Sequence, residues 1–301
     1  MKKLLVLVAM VLTTVVAMAK DYSQYANPKA LVSAEQAKKI METEKNVVVI
    51  DTRSSAHFMA GHIPGAQNMW RPAMGADKDE YPFGGMRASK EKMEKELGKL
   101  GVNSDTYVLI YDAKADYDAA RLWWVLDMYG FHNVSLIDGG VDGWKVAGFD
   151  FQRGFGDKAV AQEFKFKGKE DYSKLAVLED VKSAVDTKKT PIIDTRSVAE
   201  HEGTTTKKGA FRPGRIPSEI FIPWETAVNY EGDKTFKSVE ELAKIYGEFE
   251  DRGAIAYCQS GVRSAHTTFV LTQLLGYDNV KNYDGSWIEW SYNKDLPADK
   301  N

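Results

Sequence analysis

Hydrophobic and polar positions fall into the same order twice along this chain. A short β-branched run, Val47-Val-Val-Ile-Asp-Thr-Arg53, ends in a polar Asp-Thr-Arg, and Pro191-Ile-Ile-Asp-Thr-Arg196 does the same in the second half. Runs of this length and composition predict short buried strands. Each is followed by a Gly-X-Ile-Pro turn, Gly61-His-Ile-Pro64 and Gly214-Arg-Ile-Pro217. A second pair of apolar runs, Tyr107-Val-Leu-Ile-Tyr-Asp112 and Ala254-Ile-Ala-Tyr-Cys258, leads into a helical pattern and a Gly-aromatic turn, Gly130-Phe131 and Gly276-Tyr277. The halves close alike, with Val134-Ser-Leu-Ile-Asp-Gly-Gly-Val-Asp-Gly-Trp144 against Val280-Lys-Asn-Tyr-Asp-Gly-Ser-Trp-Ile-Glu-Trp290. From Tyr111/Tyr257 to Trp144/Trp290 the offset stays at 146 positions without a gap. The chain therefore predicts two copies of one domain.

Between the strands lie amphipathic helices, such as the one predicted over 33–41, where Ser33 is placed as N-cap and Gln36 at the capping-box position. Strands alternating with helices imply an α/β fold, each copy a mostly parallel sheet with helices on both faces. The expected division is 20–150 for the first domain, 151–171 for a charged, glycine-bearing linker and 172–301 for the second domain. Ligands of open parallel sheets sit at the carboxyl ends of the strands, where Cys258 falls.

Composition narrows the function classes. With 44% apolar and 28% charged residues the chain is neither disordered nor membrane-embedded, and a net charge of −3 with no basic run removes an electrostatic case for nucleic acid or anionic lipid. Residues 1–19 carry a basic start, an apolar stretch and an Ala17-Met-Ala19 end, the three parts of a secretory signal. The expectation is a periplasmic protein with no stable membrane association once the signal is removed. The rival is a retained anchor, for which the run Leu4 to Ala19 is short.

Against that background the single cysteine stands out, because an exported chain with one cysteine cannot staple itself by a disulfide. Cys258 opens the loop Cys258-Gln-Ser-Gly-Val-Arg-Ser264 between a strand end and a helix start. Successive amides in such a loop and the positive end of a following helix favour a thiolate. Gly261 permits the turn, and Arg263, Ser260 and Ser264 add charge and donors. The first copy has Asp112 opposite Cys258, Ala115 opposite Gly261 and Tyr117 opposite Arg263, so it lacks the nucleophile. Its three acids, Asp112, Asp116 and Asp118, are expected on a solvated loop face that repels anions, with the lining of an interdomain cleft as the alternative.

Arg196 either pairs with a carboxylate such as Asp194 or takes substrate oxygens; Arg215, replacing His62 of the first copy, is a second substrate candidate; Arg212 is expected to face solvent. His266 lies too far along its helix for a Cys-His pair and is expected on the surface or in the core. His201 sits in a polar insertion over 200–209 that is expected to be mobile. No metal site is expected, since the histidines are scattered and no second cysteine is present. Trp123, Trp124, Trp287 and Trp290 are expected in packing.

The Asp-Thr-Arg strand ends, the Gly-X-Ile-Pro turns, the Cys-X-X-Gly-X-Arg loop and the closing Asp-Gly-Gly/Ser segments together resemble tandem rhodanese domains, the two-domain thiosulfate and mercaptopyruvate sulfurtransferases. The resemblance implies an inactive first domain and a catalytic second one. It also implies a double displacement without a cofactor. Cys258 takes a sulfane sulfur from a donor such as thiosulfate, holds it as a persulfide within the amides of Gln259, Ser260, Gly261, Val262, Arg263 and Ser264, and passes it to cyanide or a thiol. By the same resemblance Arg263, Arg196 and Arg215 bind substrate and Asp194 gives support. The chain departs from the better-known pattern at Glu200, where those enzymes often carry an arginine, which leaves the donor open between thiosulfate and 3-mercaptopyruvate. Two other readings stay open. One is a persulfide carrier that does not turn over; the other is a phosphatase or arsenate reductase, whose loop needs five residues between cysteine and arginine where this one has four.

Overall fold

The computed structural model describes residues 20–300, and the signal read at 1–19 lies outside the described residues. In the first half, β1 (Leu31–Val32), β2 (Val47–Asp51), β3 (Gln67–Asn68), β4 (Tyr107–Tyr111) and β5 (Val134–Ile137) form one parallel sheet in the order β1-β5-β4-β2-β3. In the second, β6 (Leu175–Ala176), β7 (Ile192–Asp194), β8 (Ile220–Phe221), β9 (Ala254–Tyr257) and β10 (Val280–Tyr283) repeat it as β6-β10-β9-β7-β8. Register repeats with order: Asp51 stands opposite Tyr111, and Asp194 opposite Tyr257. The continuous apolar runs have their reason here, since β5 and β9 are buried along their whole length beneath helices on both sheet faces.

Local signals act where the sequence places them. Ser33 accepts the Gln36 N–H and the Gln36 side chain accepts the Ser33 N–H, a complete capping box on the helix Ala34–Thr43. The helix Tyr117–Met128, buried from Ala119 onward, packs across the domain boundary against the helix Arg263–Phe269. Trp123 meets Phe269 edge-to-face there, ring centroids 4.9 Å apart. One apolar cluster thus runs through both domains, while the far face of each sheet has its own. Trp124, Trp287 and Trp290 are likewise buried in packing.

Residues 151–171 contain no helix or named strand, yet they are tied down. Phe164 and Phe166 bury in the shared core, and Glu94 accepts from the Phe166 N–H and the Lys165 ammonium. Among the described residues no helix is long and apolar enough to cross a membrane.

Candidate active site

β9 delivers Cys258 to its carboxyl end, and the chain turns through Gly261 into the helix Arg263–Phe269. Gly261 has φ +71°, and a Cβ there would meet the Asp284 carbonyl oxygen at 2.7 Å and Arg121 Nη1 at 2.8 Å. Only glycine fits both the conformation and the space. Its carbonyl accepts from Arg121 Nη1 at 3.1 Å and Asn282 Nδ2 at 3.0 Å, so the first domain grips the loop of the second. Arg121 and Arg87, both from the first domain, also hold the buried Asp284 carboxylate, at 2.6 and 2.9 Å.

Ser286 supplies the other fastening. Its Oγ accepts the N–H groups of Cys258 (3.1 Å) and Gly261 (2.9 Å) and donates to the Tyr283 carbonyl at 2.7 Å. The amide of Gly261 is therefore spent on Ser286, and it does not join a ring of amides around the sulfur. Ser286 adopts φ +50°, a strained conformation for a side-chain-bearing residue. Its counterpart Gly140 has φ +49° and lies so close to Asp112 that a side chain would collide with the Asp112 carbonyl. That exchange of glycine for serine is the one signal in the sequence that could have identified Ser286.

Cys258 is 1% exposed, and its sulfur receives the Ser264 hydroxyl at 3.5 Å. Burial opposes its ionisation, but the Arg263 charge, the Ser264 hydroxyl and the amides of Ser264 and Ser260 outweigh burial and bring the thiol down to about 7. Arg263 itself is held by Glu200 in a two-pronged pair, Nη1 to Oε2 at 2.7 Å and Nη2 to Oε1 at 2.8 Å. Glu200 is 2% exposed and also takes Lys207 at 3.0 Å and the Ser197 hydroxyl at 2.8 Å. Burial resists its charge, yet Arg263, Ser197 and Lys207 prevail and hold the carboxyl at about 2. Arg263 thus acts on the sulfur by its field, and its fork is not open to substrate oxygens. The insertion 200–209 is part of this arrangement, with Glu200 on Arg263 and the Lys207 and Lys208 carbonyls near Gln259 Nε2 at 3.5 and 3.4 Å.

The other expected arginines lie elsewhere. Arg196 is 1% exposed, clasped by both Asp194 oxygens and stacked near Tyr257 and Trp287, so it serves the fold and no substrate reaches it. Arg53 and Asp51 repeat the pair in the first domain. Arg215 turns to Glu219 at 3.3 Å and to the His201 carbonyl, which commits it to a carboxylate of its own domain. Arg212 does not face solvent, since it donates to the carbonyls of Asn293 and Leu296. His201 stacks on Phe221 with centroids 4.0 Å apart, which anchors the residue expected to be mobile. His266 is in the core, stacked on Phe236, and burial pushes it down to about 3. Asp194, His201 and Glu219 do bring three ligand-type atoms within 4.8 Å of one another, a cluster that sequence spacing does not show. Arg196 and Arg215 already balance its carboxylates, and burial with Asp194 beside it lifts Glu219 to about 7.

In the first domain the acids are not a solvated face. Asp112 is 1% exposed and accepts the N–H groups of Lys114, Asp116 and Asp118 at 2.5, 2.9 and 2.7 Å. A carboxylate belonging to the chain fills the loop that in the second domain surrounds sulfur, although burial and Asp118 raise it to about 6. Asp116 is fully buried, and Asp118 is paired to Arg71 at 2.5 Å.

Two rhodanese-type domains, one with a thiolate loop and one with that loop closed by an aspartate, define the class. The family profile described as "Rhodanese-like domain" matches residues 33–147 and 177–293, and the chain belongs to the rhodanese family. A Saccharopolyspora erythraea protein provisionally named a thiosulfate sulfurtransferase is 36% identical over 87% of this chain and 93% of its own. The sulfur carrier protein TtuD of Thermus thermophilus is 34% identical over 92% and 98%. An anaerobic ergothioneine biosynthesis enzyme from Chlorobium limicola superposes with a TM-score of 0.82 over 92% of this chain and 71% of its own; at 23% identity that likeness is one of fold.

Proposed function

We propose that this protein is a sulfurtransferase that carries a sulfane sulfur as a persulfide on Cys258. The observation that carries the reading is a buried cysteine at a strand end of a rhodanese domain with the Ser264 hydroxyl on its sulfur, an arrangement in which the Arg263 charge favours the thiolate. At neutral pH a large fraction is thiolate, the nucleophilic form. With thiosulfate as donor, the Cys258 thiolate attacks the outer sulfur, a new S–S bond forms, and the old one breaks with its electron pair leaving on sulfite. Three negative charges enter and three leave, one on the persulfide and two on sulfite. An acceptor such as cyanide or a thiolate then attacks the outer sulfur and restores the Cys258 thiolate.

The Glu200 clamp also speaks against phosphate chemistry. A phosphatase needs its loop arginine to grip oxyanion oxygens, and here both prongs of Arg263 are taken. The carrier reading keeps a place beside the enzyme, since it uses the same thiolate and one relative bears that name. The exported location read from 1–19 is part of the same proposal and rests on the sequence alone. Incubation with thiosulfate is expected to release sulfite and add the mass of one sulfur to Cys258, with thiocyanate formed on adding cyanide. Loading without steady turnover on cyanide or thiols makes it a carrier, and no loading from any sulfane donor overturns the reading.

A further inference from the structure

The arginines around the Cys258 loop are nearly all committed, which raises the question of what meets an anionic donor. Arg263 is clamped by Glu200, Arg196 by Asp194, Arg215 by Glu219, and Arg121 and Arg87 by Asp284. A cation must come from somewhere, because thiosulfate and mercaptopyruvate both carry negative oxygens and the chain as a whole is acidic.

A cavity of about 360 Å³ lies against the loop, lined by Ser260 and Val262 on one side and on the other by first-domain residues that include Gly85 and three cations, Arg71, Lys78 and the Asp284-bound Arg121, of which Arg71 alone is held in place with its Nη groups free. Gly85 approaches so closely that a Cβ there would sit 2.7 Å from Ser260 Cβ, so this wall belongs to the active loop. The Arg71 side chain is 43% exposed. Its Nε is held by Asp118 and its guanidinium lies 5.4 Å from the centre of the Tyr117 ring. Among the described residues neither Nη group makes a hydrogen bond, so both Nη groups, with four N–H donors in fixed geometry, remain. Burial lowers the Arg71 pKa, but Asp118, Tyr117 and the Cys258 thiolate raise it, which puts Arg71 in the electrostatic field of the sulfur.

We propose that Arg71, in the domain without a cysteine, recognises the anionic oxygens of the sulfur donor while Cys258 of the other domain attacks its sulfur. This deepens the sulfurtransferase reading and rests on it. The first domain then has a defined role, closing its own loop with Asp112 and lending the neighbouring loop a guanidinium fork. Asp118 holds Arg71 at Nε and leaves its two Nη groups free to donate to oxyanions.

The test compares Arg71→Gln and Arg71→Lys with the wild type, using thiosulfate, a dianion, and methanethiosulfonate, a monoanion, with dithiothreitol as neutral acceptor. In a double displacement kcat/KM for the donor reports the loading half alone. Arg71→Gln is expected to lower kcat/KM for thiosulfate about tenfold or more and for methanethiosulfonate about threefold or less, with the value for dithiothreitol unchanged. Arg71→Lys restores part of the thiosulfate loss, because it keeps charge without the fork. Thiosulfate values within about twofold of wild type, or equal losses for both donors and the acceptor, overturn the role of Arg71. A wild type that loads no sulfur from either donor overturns the sulfurtransferase reading itself.

Discussion

Replacing Cys258 by serine is expected to abolish sulfur transfer, with turnover falling by at least about a thousandfold. The substitution changes one atom in a buried position and leaves the loop's fastenings alone, since Ser286 binds backbone N–H groups and the Cys258 carbonyl accepts from Trp287 N. The fold is therefore retained, and thermal unfolding checks it. The chemistry is not, because a hydroxyl stays protonated at neutral pH and cannot form a persulfide. Cys258 is the chain's only cysteine, so no second thiol can substitute. Sulfite release from thiosulfate by Cys258→Ser within about tenfold of wild type would place the nucleophile elsewhere.

The Arg263–Glu200 pair gives the second large effect, and its two halves act in opposite directions on the sulfur. In Arg263→Met burial is no longer opposed by the strongest favourable charge, and the Cys258 pKa rises. A thiol returned to the ordinary range near 8.5 loses about tenfold or more of its thiolate at pH 7, and loading slows in proportion and recovers as pH is raised. Glu200, 2% exposed, also loses its principal countercharge, which costs about 3 kcal/mol of stability. In Glu200→Gln the guanidinium stays and its neutralising carboxylate goes, so the Cys258 pKa falls below that of the wild type. Alkylation rates against pH, with thermal unfolding of each variant, read both effects. Shifts of the same sign in the two variants would contradict the pairing as the source of the thiolate.

Much of this was legible in the chain. The repeat could be read because parallel strands buried on both faces have few tolerated residues, so β4 and β9 kept their pattern at a constant offset. Cys258 could be read because a thiol at a strand end before a glycine turn and an arginine has local meaning. The partners of these groups could not. Arg263 and Glu200 lie 63 positions apart, Arg121 and Asp284 lie 163 apart, and no spacing rule links them. Residue type alone leaves Arg196 open between a carboxylate and substrate and makes Arg215 look available, whereas the fold brings each of them a carboxylate, Asp194 and Glu219. Asp112 departs from expectation for the complementary reason: acids are read as solvated, and three backbone N–H groups make its burial tolerable. Ser286 alone left a trace, as the departure from Gly140 in an otherwise matching Asp-Gly segment.

Everything proposed for catalysis depends on Cys258 being an anion near neutrality inside its loop. Ultraviolet absorbance of the thiolate, followed against pH in the full chain with Cys258→Ser as the blank, measures this directly. The expected result is a single transition centred at about 7. A midpoint at or above about 9, the behaviour of a buried thiol with no compensating charge, would contradict it.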